Sequence, residues 1–195
     1  MTGLRDFLGD RLRGLLQPLT RGFERLHITP NQITVVGAAL NLVAAVLVAQ
    51  DRLLTAGIVF VVASCFDMLD GALARIAQKV TPFGAFLDST LDRASEGAIL
   101  VAVAYSFARQ GHPVDVALVV VALLGSLLVS YTRARAEALG LECKVGLMSR
   151  PERIVLIAIG LFFNVLPYVI YILAALTTFT VVQRVVHTYR ELRSR

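Results

Sequence analysis

Residues 56–92 read AGIVFVVASCFDMLDGALARIAQKVTPFGAFLDSTLD, an apolar run that leads into a group of acidic residues. Residues 53–66 contain no charge, which is typical of a helix that crosses a membrane. Four carboxylates follow within the apolar helices: Asp67, Asp70, Asp88 and Asp92. A carboxylate inside a membrane helix is costly unless it meets a partner or water, so these residues are functional candidates.

The composition of the whole chain is that of a membrane protein. Of its 195 residues, 56% are apolar and 17% are charged, and the mean hydropathy is +0.71. Soluble domains are usually about 45–50% apolar and about 25% charged. The two cysteines, Cys65 and Cys143, offer neither a disulfide framework nor the spacing of metal ligands. We therefore expect neither a zinc site nor an iron–sulfur cluster.

The apolar blocks predict an all-α integral membrane protein with six transmembrane helices, because each span needs roughly 20 residues. The chain forms one membrane domain over 1–195, with no room for a separate soluble domain. The predicted spans cover about 30–50, 53–77, 83–108, 114–139, 150–165 and 168–192. At the start of the first span, Thr29 and Gln32 form a capping box around Pro30.

An amphipathic arm over 1–29 precedes these spans. Charged residues interrupt every apolar run in it, which excludes a cleavable secretory signal. Its apolar residues recur at steps of three and four, as in a helix that lies on a bilayer surface. They are Leu12, Leu15, Leu16, Leu19 and Phe23.

The basic residues predict the orientation in the membrane. Seventeen of the 19 Lys and Arg residues fall at one end of the predicted spans, and only Arg52 and Arg109 fall at the other. By the positive-inside rule, both termini are cytoplasmic. The net charge of +5 then faces anionic headgroups, and no nucleic-acid partner is expected, because no basic face interleaved with aromatic residues exists.

The spacing of the four carboxylates predicts a metal site. Asp67 and Asp70 are spaced i, i+3, and Asp88 and Asp92 are spaced i, i+4, so each pair projects from one helix face. The connection at 79–83 is short, which makes the two helices antiparallel neighbours whose acidic pairs converge. Hard oxygen ligands favour Mg²⁺ or Mn²⁺, and two ions would balance the cluster. The alternative is salt bridging by nearby arginines.

The pattern Asp67-x₂-Asp70-Gly71-x₂-Ala74-Arg75-x₈-Gly84-x₃-Asp88-x₃-Asp92 resembles the signature of the CDP-alcohol phosphotransferase, or phosphatidyltransferase, family. The resemblance implies a homodimeric membrane enzyme that transfers a phosphatidyl group from CDP-diacylglycerol to an alcohol and releases CMP. It implies that the four aspartates hold the two ions and that Asp92 is the general base.

The same resemblance implies contacts to the CDP-lipid. These residues are Gly71, Arg75 and Thr81, together with Asn31, Gln32, Ile33 and Thr34 at the start of the first span. CDP-lipids present their nucleotide to the cytosol, the side on which the charge count places the motif.

Basic residues outside the motif indicate the acceptor. Ser130 and Arg133 share a face of the fourth predicted helix, and Arg153 follows a predicted capping box at Ser149. A helix start with arginines suits a phosphate, and Arg184 could face the same cavity. Glu96 is expected to pair with an arginine of the fourth helix.

The pattern Ser130-Tyr131-x-Arg133-Ala134-Arg135-Ala136-Glu137 with Arg150-Pro151-Glu152-Arg153 resembles the phosphatidylinositol phosphate synthases of that family. This implies inositol phosphate as the acceptor, bound by Ser130, Arg133, Arg153 and Arg184. It also implies location in the cell membrane with the active site facing the cytoplasm.

Three other functions stay open. A phosphatidylglycerophosphate synthase also needs cations for its acceptor, and an archaetidylinositol phosphate synthase would use an ether-lipid donor. A divalent-cation transporter would place its ionisable groups at mid-membrane on repeated halves. The carboxylates here lie toward one face, and the sequence has no internal repeat.

Overall fold

The structure, a computed structural model, describes the backbone of residues 29–76 and 81–194 and the side chains of 29–67 and 81–194. Over these residues it contains α-helices and no strand. The helices are α1 (Pro30–Ala49), α2 (Leu53–Ile76), α3 (Pro82–Arg109), α4 (Pro113–Ala138), α5 (Arg150–Phe163) and α6 (Leu166–Arg193). The predicted arm at 1–29 lies outside the described residues except for Thr29.

Local signals at the helix starts explain why the predicted and observed bounds agree within two residues. Thr29 accepts a hydrogen bond from the backbone N–H of Gln32, and the Gln32 side chain accepts one from the backbone N–H of Thr29. This confirms the predicted capping box. Thr81 caps α3 in the same way through the N–H of Gly84. A Pro follows at the first or second position of both helices.

The turn before α6 differs in detail from the prediction. The sixth span is predicted to begin at about residue 168, but α6 already begins at Leu166 and contains Pro167 in its first turn. The chain reverses instead at Asn164, which adopts the left-handed conformation with φ of 54° and ends α5. Asn tolerates this conformation better than most residues, so it can end a helix as Gly does.

The helices form two groups joined at their sides. α1 packs against α2 and α3, α6 packs against α4 and α5, and the α3–α4 and α2–α5 contacts join the groups. The sequence predicts α2 and α3 as direct neighbours, whereas in the described residues each packs most extensively on α1. α1 therefore lies between the two helices that carry the acidic pairs.

The outer surface is apolar, which agrees with a membrane environment. Large apolar side chains are exposed along the helices, including Val36, Leu42, Val120, Leu124 and Phe163. Soluble monomers rarely expose such extended apolar surface. By length and hydropathy, α1, α4 and α6 are long and apolar enough to cross a membrane. The count of six spans stays a prediction for the other three helices.

A glycine on α4 permits close packing against α6. A Cβ added at Gly125 would lie 2.8 Å from the Cβ of Thr177, which is fully buried. Small residues at such crossings let helix backbones approach closely in membranes. By contrast, a Cβ at Gly97 on α3 would lie 3.7 Å from Leu123, an ordinary contact distance.

We therefore expect Gly125→Ala to destabilise the protein by about 1–3 kcal/mol, since an overpacked contact forces the helices apart. The matched variant Gly97→Ala should change stability much less. Size-exclusion chromatography after heating in detergent gives the apparent melting temperature of each variant, and the two temperatures measure the difference in stability. Equal melting temperatures for the two variants would contradict the packing argument.

Candidate active site

Two of the predicted acidic residues meet on one arginine. Nη2 of Arg150, the first residue of α5, lies 2.8 Å from Oδ2 of Asp67 on α2. The same nitrogen lies 2.5 Å from Oδ1 of Asp92 on α3. The side chains of Asp67 and Asp92 are only 6% and 11% exposed. Three helices thus bring two buried carboxylates and one cation to a common point.

Asp88 adds a third negative charge to this cluster. It lies one turn before Asp92 on α3, and its charge acts on both Asp67 and Asp92. The side chain of Asp70, the fourth predicted metal ligand, lies outside the described residues. Among the side chains that are described, no three Asp, Glu, His or Cys residues form a metal-binding group. The chemistry of the three carboxylates nevertheless suits a hard divalent cation, since they supply only oxygen donors and already hold a cation between two of them.

Gly37 on α1 makes room for this cluster, a role that the sequence analysis missed. A Cβ at Gly37 would collide with Oδ1 of Asp67 and would lie 3.5 Å from the Cβ of Phe66. The missing side chain lets the carboxylate of Asp67 rest against the α1 backbone. No motif in the sequence marks Gly37, because its partner is 30 positions away.

The starts of α1 and α3 meet beside each other at the predicted nucleotide side. Oδ1 of Asn31 and Oγ1 of Thr81 both lie next to Gly84, within 3.0 Å of where its Cβ would be. Gln32 is exposed, whereas Ile33 and Thr34 are only 4% exposed. The Thr34 hydroxyl donates to the Pro30 carbonyl. Gly71 and Arg75 lie in the part of α2 whose side-chain environment is outside the described residues.

A cavity of about 180 Å³ adjoins the carboxylate cluster. All four residues that were predicted to bind the acceptor phosphate line it: Ser130, Arg133, Arg153 and Arg184. Four further charged residues line the same cavity: Asp92, Arg93, Glu96 and Arg150. Five arginines against two carboxylates make the cavity suitable for an anion.

Arg153 is fixed by a buried pairing with Glu96. Its Nε lies 2.5 Å and its Nη2 lies 2.8 Å from the two carboxylate oxygens of Glu96, and Arg153 is only 2% exposed. The prediction that Glu96 pairs with an arginine of the fourth helix is therefore wrong, because its partner is on α5. Long-range pairs of this kind follow from packing and leave no spacing signal in the sequence.

Arg184 and Arg133 are held differently. Arg184 on α6, 3% exposed, donates from Nε to the carbonyl of Val145 at 3.0 Å and from Nη1 to the carbonyl of Val129. It thereby ties α6 to α4 and to the loop before α5. Arg133 is about half exposed and pairs with Glu137 one turn later at 2.8 Å. Arg133 is thus the more accessible of the two.

The start of α5 departs from the predicted capping box. The Ser149 hydroxyl donates to the side chain of Glu152, and it makes no cap to the backbone of the helix. The sequence predicts a phosphate site at this helix start but does not show that Arg150 and Arg153 have different partners.

Arg93 was not predicted to line the cavity, because it follows Asp92 directly and belongs to no spacing pattern of its own.

A family model described as CDP-alcohol phosphatidyltransferase matches residues 27–184. The chain belongs to the CDP-alcohol phosphatidyltransferase family. It is accordingly a multi-pass membrane enzyme, which confirms the resemblance drawn from the acidic motif. The matched region includes every residue of the carboxylate cluster and of the arginine-lined cavity.

Named relatives match nearly the whole chain. An archaetidylinositol phosphate synthase of Pyrococcus horikoshii is 39% identical over 180 residues, which is 90% of this chain and 93% of the relative. A phosphatidylinositol phosphate synthase of Corynebacterium glutamicum is 37% identical over 181 residues, which is 88% of this chain and 83% of that one.

Solved structures of the phosphatidylinositol phosphate synthase of Mycobacterium tuberculosis share the fold. The structure with CDP-DAG bound has a TM-score of 0.83 and 32% identity, and the match covers 88% of this chain and 92% of that one. The complex with manganese and citrate has a TM-score of 0.81 and 33% identity, with 88% of each chain covered.

The buried Glu96–Arg153 pair generates a stability prediction within this phosphatidyltransferase. Glu96→Gln leaves the buried Arg153 without its opposite charge, and removing one partner of a buried ion pair typically costs about 3–5 kcal/mol. The control is Glu137→Gln, which makes the same change at an exposed pair worth roughly 0–1 kcal/mol. Apparent melting temperatures in detergent compare the two, and a drop for Glu137→Gln as large as that for Glu96→Gln would contradict the analysis.

Proposed function

We propose that this phosphatidyltransferase transfers the phosphatidyl group of CDP-diacylglycerol to a hydroxyl of inositol phosphate and releases CMP. The observation that carries the proposal is the contact between the carboxylate cluster and the arginine-lined cavity, which share Asp92 and Arg150. The cluster suits the diphosphate with its metal ions, and the cavity suits a phosphorylated acceptor. The named activities of the Corynebacterium and Mycobacterium relatives support the same reaction.

The four aspartates would hold the divalent ions. Asp67, Asp88 and Asp92 are the members whose side chains are described, and Asp70 completes the predicted set. Two Mg²⁺ or Mn²⁺ ions, when bound, would neutralise charge on the diphosphate and on the departing CMP. The matched Mycobacterium structure that contains manganese supports a divalent ion in this family.

We propose Asp92 as the general base. Of the described cluster carboxylates, it alone also lines the cavity in which the acceptor would lie. An acceptor hydroxyl there can transfer its proton to Asp92 as its oxygen bonds to the phosphatidyl phosphorus. The bond from that phosphorus to the CMP oxygen then breaks, and CMP leaves with the electron pair.

The nucleotide would lie over the starts of α1 and α3. Asn31, Gln32 and Thr81 offer polar groups there, and Gly71 and Arg75 of α2 complete the predicted contacts. Ile33 and Thr34 are buried, so we expect them to support this surface from below. Helix starts are favourable places for phosphate groups because their N–H groups are unpaired and the helix dipole is positive there.

The acceptor phosphate would lie among Ser130, Arg133, Arg153 and Arg184 in the cavity. Arg133 and Ser130 on α4 are exposed enough to contact it directly. Arg153 and Arg184 are fixed by other groups, so they offer their remaining N–H groups from set positions. An uncharged alcohol would leave these arginines without an anionic ligand.

We place the enzyme in the cell membrane with both termini and the active site in the cytoplasm. The support is the distribution of basic residues and the shared location of the acidic motif and the cavity at that end. A homodimer is part of the same proposal and derives from the family resemblance.

A divalent-cation transporter fits the structure less well. The cavity beside the carboxylates is lined by five arginines and two carboxylates, and this excess of positive charge opposes the passage of cations. The choice of donor lipid is more open, since the Pyrococcus relative is named an archaetidylinositol phosphate synthase.

The deciding experiment measures CMP release and lipid product from purified protein with Mg²⁺ or Mn²⁺. Its arms combine CDP-diacylglycerol or its archaeol counterpart with inositol phosphate, glycerol phosphate or free inositol. We expect product only with inositol phosphate. Product with glycerol phosphate and with neither of the other acceptors would identify a phosphatidylglycerophosphate synthase instead. Metal transport without CMP release would reject the proposed enzymatic function.

Asp92→Asn removes the proposed base, so CMP release should fall by at least about 100-fold, the lower end of what a positioned base contributes. Asp51→Asn makes the same change at the opposite end of the bundle, where Asp51 contacts Arg109, and should keep its activity. Turnover of Asp92→Asn near that of the unmodified enzyme would show that the base is another group.

Arg133 and Arg135 offer a matched test of the acceptor site. Both lie near the end of α4, but only Arg133 lines the cavity. Arg133→Gln should raise KM for inositol phosphate by roughly 10-fold, since a hydrogen bond to a charged group is worth about 1.5–3 kcal/mol. Arg135→Gln should leave KM unchanged, and KM for CDP-diacylglycerol should be the same in both variants.

A further inference from the structure

Arg150 belongs both to the carboxylate cluster and to the arginine-lined cavity. Its Nη2 contacts Oδ2 of Asp67 at 2.8 Å and Oδ1 of Asp92 at 2.5 Å. The same side chain lines the cavity together with Arg133 and Arg153. One guanidinium therefore borders the two places that the proposed function assigns to metal ions and to the acceptor phosphate.

Arg150 is more exposed than the two buried arginines of the cavity. Arg153 is 2% exposed and held by both oxygens of Glu96, and Arg184 is 3% exposed and held by two backbone carbonyls. The side chain of Arg150 is 32% exposed, and a single nitrogen makes both of its carboxylate contacts. A long, partly exposed side chain of this kind can change rotamer without unpacking a helix.

A divalent ion and Arg150 need the same ligands. An ion bound by Asp67 and Asp92 would share with Nη2 of Arg150 the same two carboxylates, and two cations at that distance repel each other. The ion would therefore displace the guanidinium. The adjacent cavity, which Arg150 already lines, is the nearest site for it.

We propose that Arg150 is a mobile counter-cation that leaves Asp67 and Asp92 when a divalent ion binds and then binds the acceptor's phosphate in the cavity. The proposal rests on the proposed function for the identity of the two ligands. Because both sites share one cation, a bound metal ion raises the affinity for phosphate. By linkage, bound phosphate raises the affinity for the metal by the same factor.

Metal binding by itself tests the first half of the proposal. Free Mn²⁺ is measured by electron paramagnetic resonance as it is titrated into the purified full-length protein. Arg150→Gln removes the competing cation, so we expect Mn²⁺ to bind about tenfold more tightly, a factor that corresponds to about 1.4 kcal/mol. The control is Arg133→Gln, which removes the same charge from the cavity without touching Asp67 or Asp92 and should leave the Mn²⁺ affinity within about twofold.

The second half is tested by adding inorganic phosphate, with protein-free titrations to correct for Mn²⁺–phosphate complexes. Phosphate should tighten Mn²⁺ binding to the unmodified protein at least about fivefold, the lower end of typical coupling between sites. In Arg150→Gln this effect should fall below about twofold. Arg150→Lys keeps the positive charge but lacks the planar guanidinium group, so the effect of phosphate on its Mn²⁺ affinity should be intermediate. Size-exclusion profiles verify that each variant is folded.

Any one of three results would overturn the proposal. The first is an Arg150→Gln variant that binds Mn²⁺ as weakly as the unmodified protein, and the second is one that keeps the full phosphate effect. The third is a structure of the Mn²⁺-bound protein in which Arg150 still contacts both Asp67 and Asp92. None of these measurements needs turnover. A protein that shows the coupling but transfers no lipid would therefore reject the proposed function and keep this inference, and an active enzyme without coupling would do the reverse.

Discussion

Charged groups inside an apolar helix bundle must meet partners, and this constraint organises the structure. A buried charge without a partner costs several kcal/mol, so the helices that carry such charges have to be brought together. α5 supplies Arg150 to Asp67 of α2 and Asp92 of α3, and it supplies Arg153 to Glu96 of α3. α5 thereby joins both helices that carry the acidic motif. The candidate site is thus also the polar junction between the two groups of helices.

The same constraint explains the roles of the arginines. Arg184 has a fixed position because backbone carbonyls of α4 and of the α4–α5 loop accept its hydrogen bonds. Its place in the cavity therefore depends on the loop at 139–149, where Gly146 with φ of 125° packs against Thr180 and Arg184. A Cβ at Gly146 would lie 3.4 Å from Nε of Arg184. The loop, although it contains no helix, fixes one wall of the site.

Much of the fold could be predicted because its signals are local. Thr29, Thr81 and the prolines that follow them mark helix starts within a few residues, and the apolar blocks mark the helices themselves. The sequence also predicts that Asp67 and Asp92 converge, but it attributes this to direct packing of α2 on α3, whereas both helices pack mainly on α1 and Arg150 of α5 joins the two carboxylates. The partner of Glu96 was not, since it is 57 positions away and any of several arginines has the right charge. Gly37 was missed for a similar reason, because its role is the space that it leaves for Asp67.

The charge that the cavity offers to an anion is smaller than its number of arginines suggests. Glu96 neutralises Arg153, Glu137 pairs with Arg133, and Arg150 is held by two aspartates. Arg93 and Arg184 differ, because the hydrogen-bond partners described for them are backbone carbonyls that carry no net charge. A cavity of this kind attracts a phosphate only moderately by itself. In the proposed exchange, a divalent ion that enters the carboxylate cluster releases Arg150 to the cavity, so the affinity of the cavity for a phosphorylated acceptor depends on the neighbouring site. An uncharged alcohol would gain nothing from this arrangement, which favours an acceptor that already carries a phosphate.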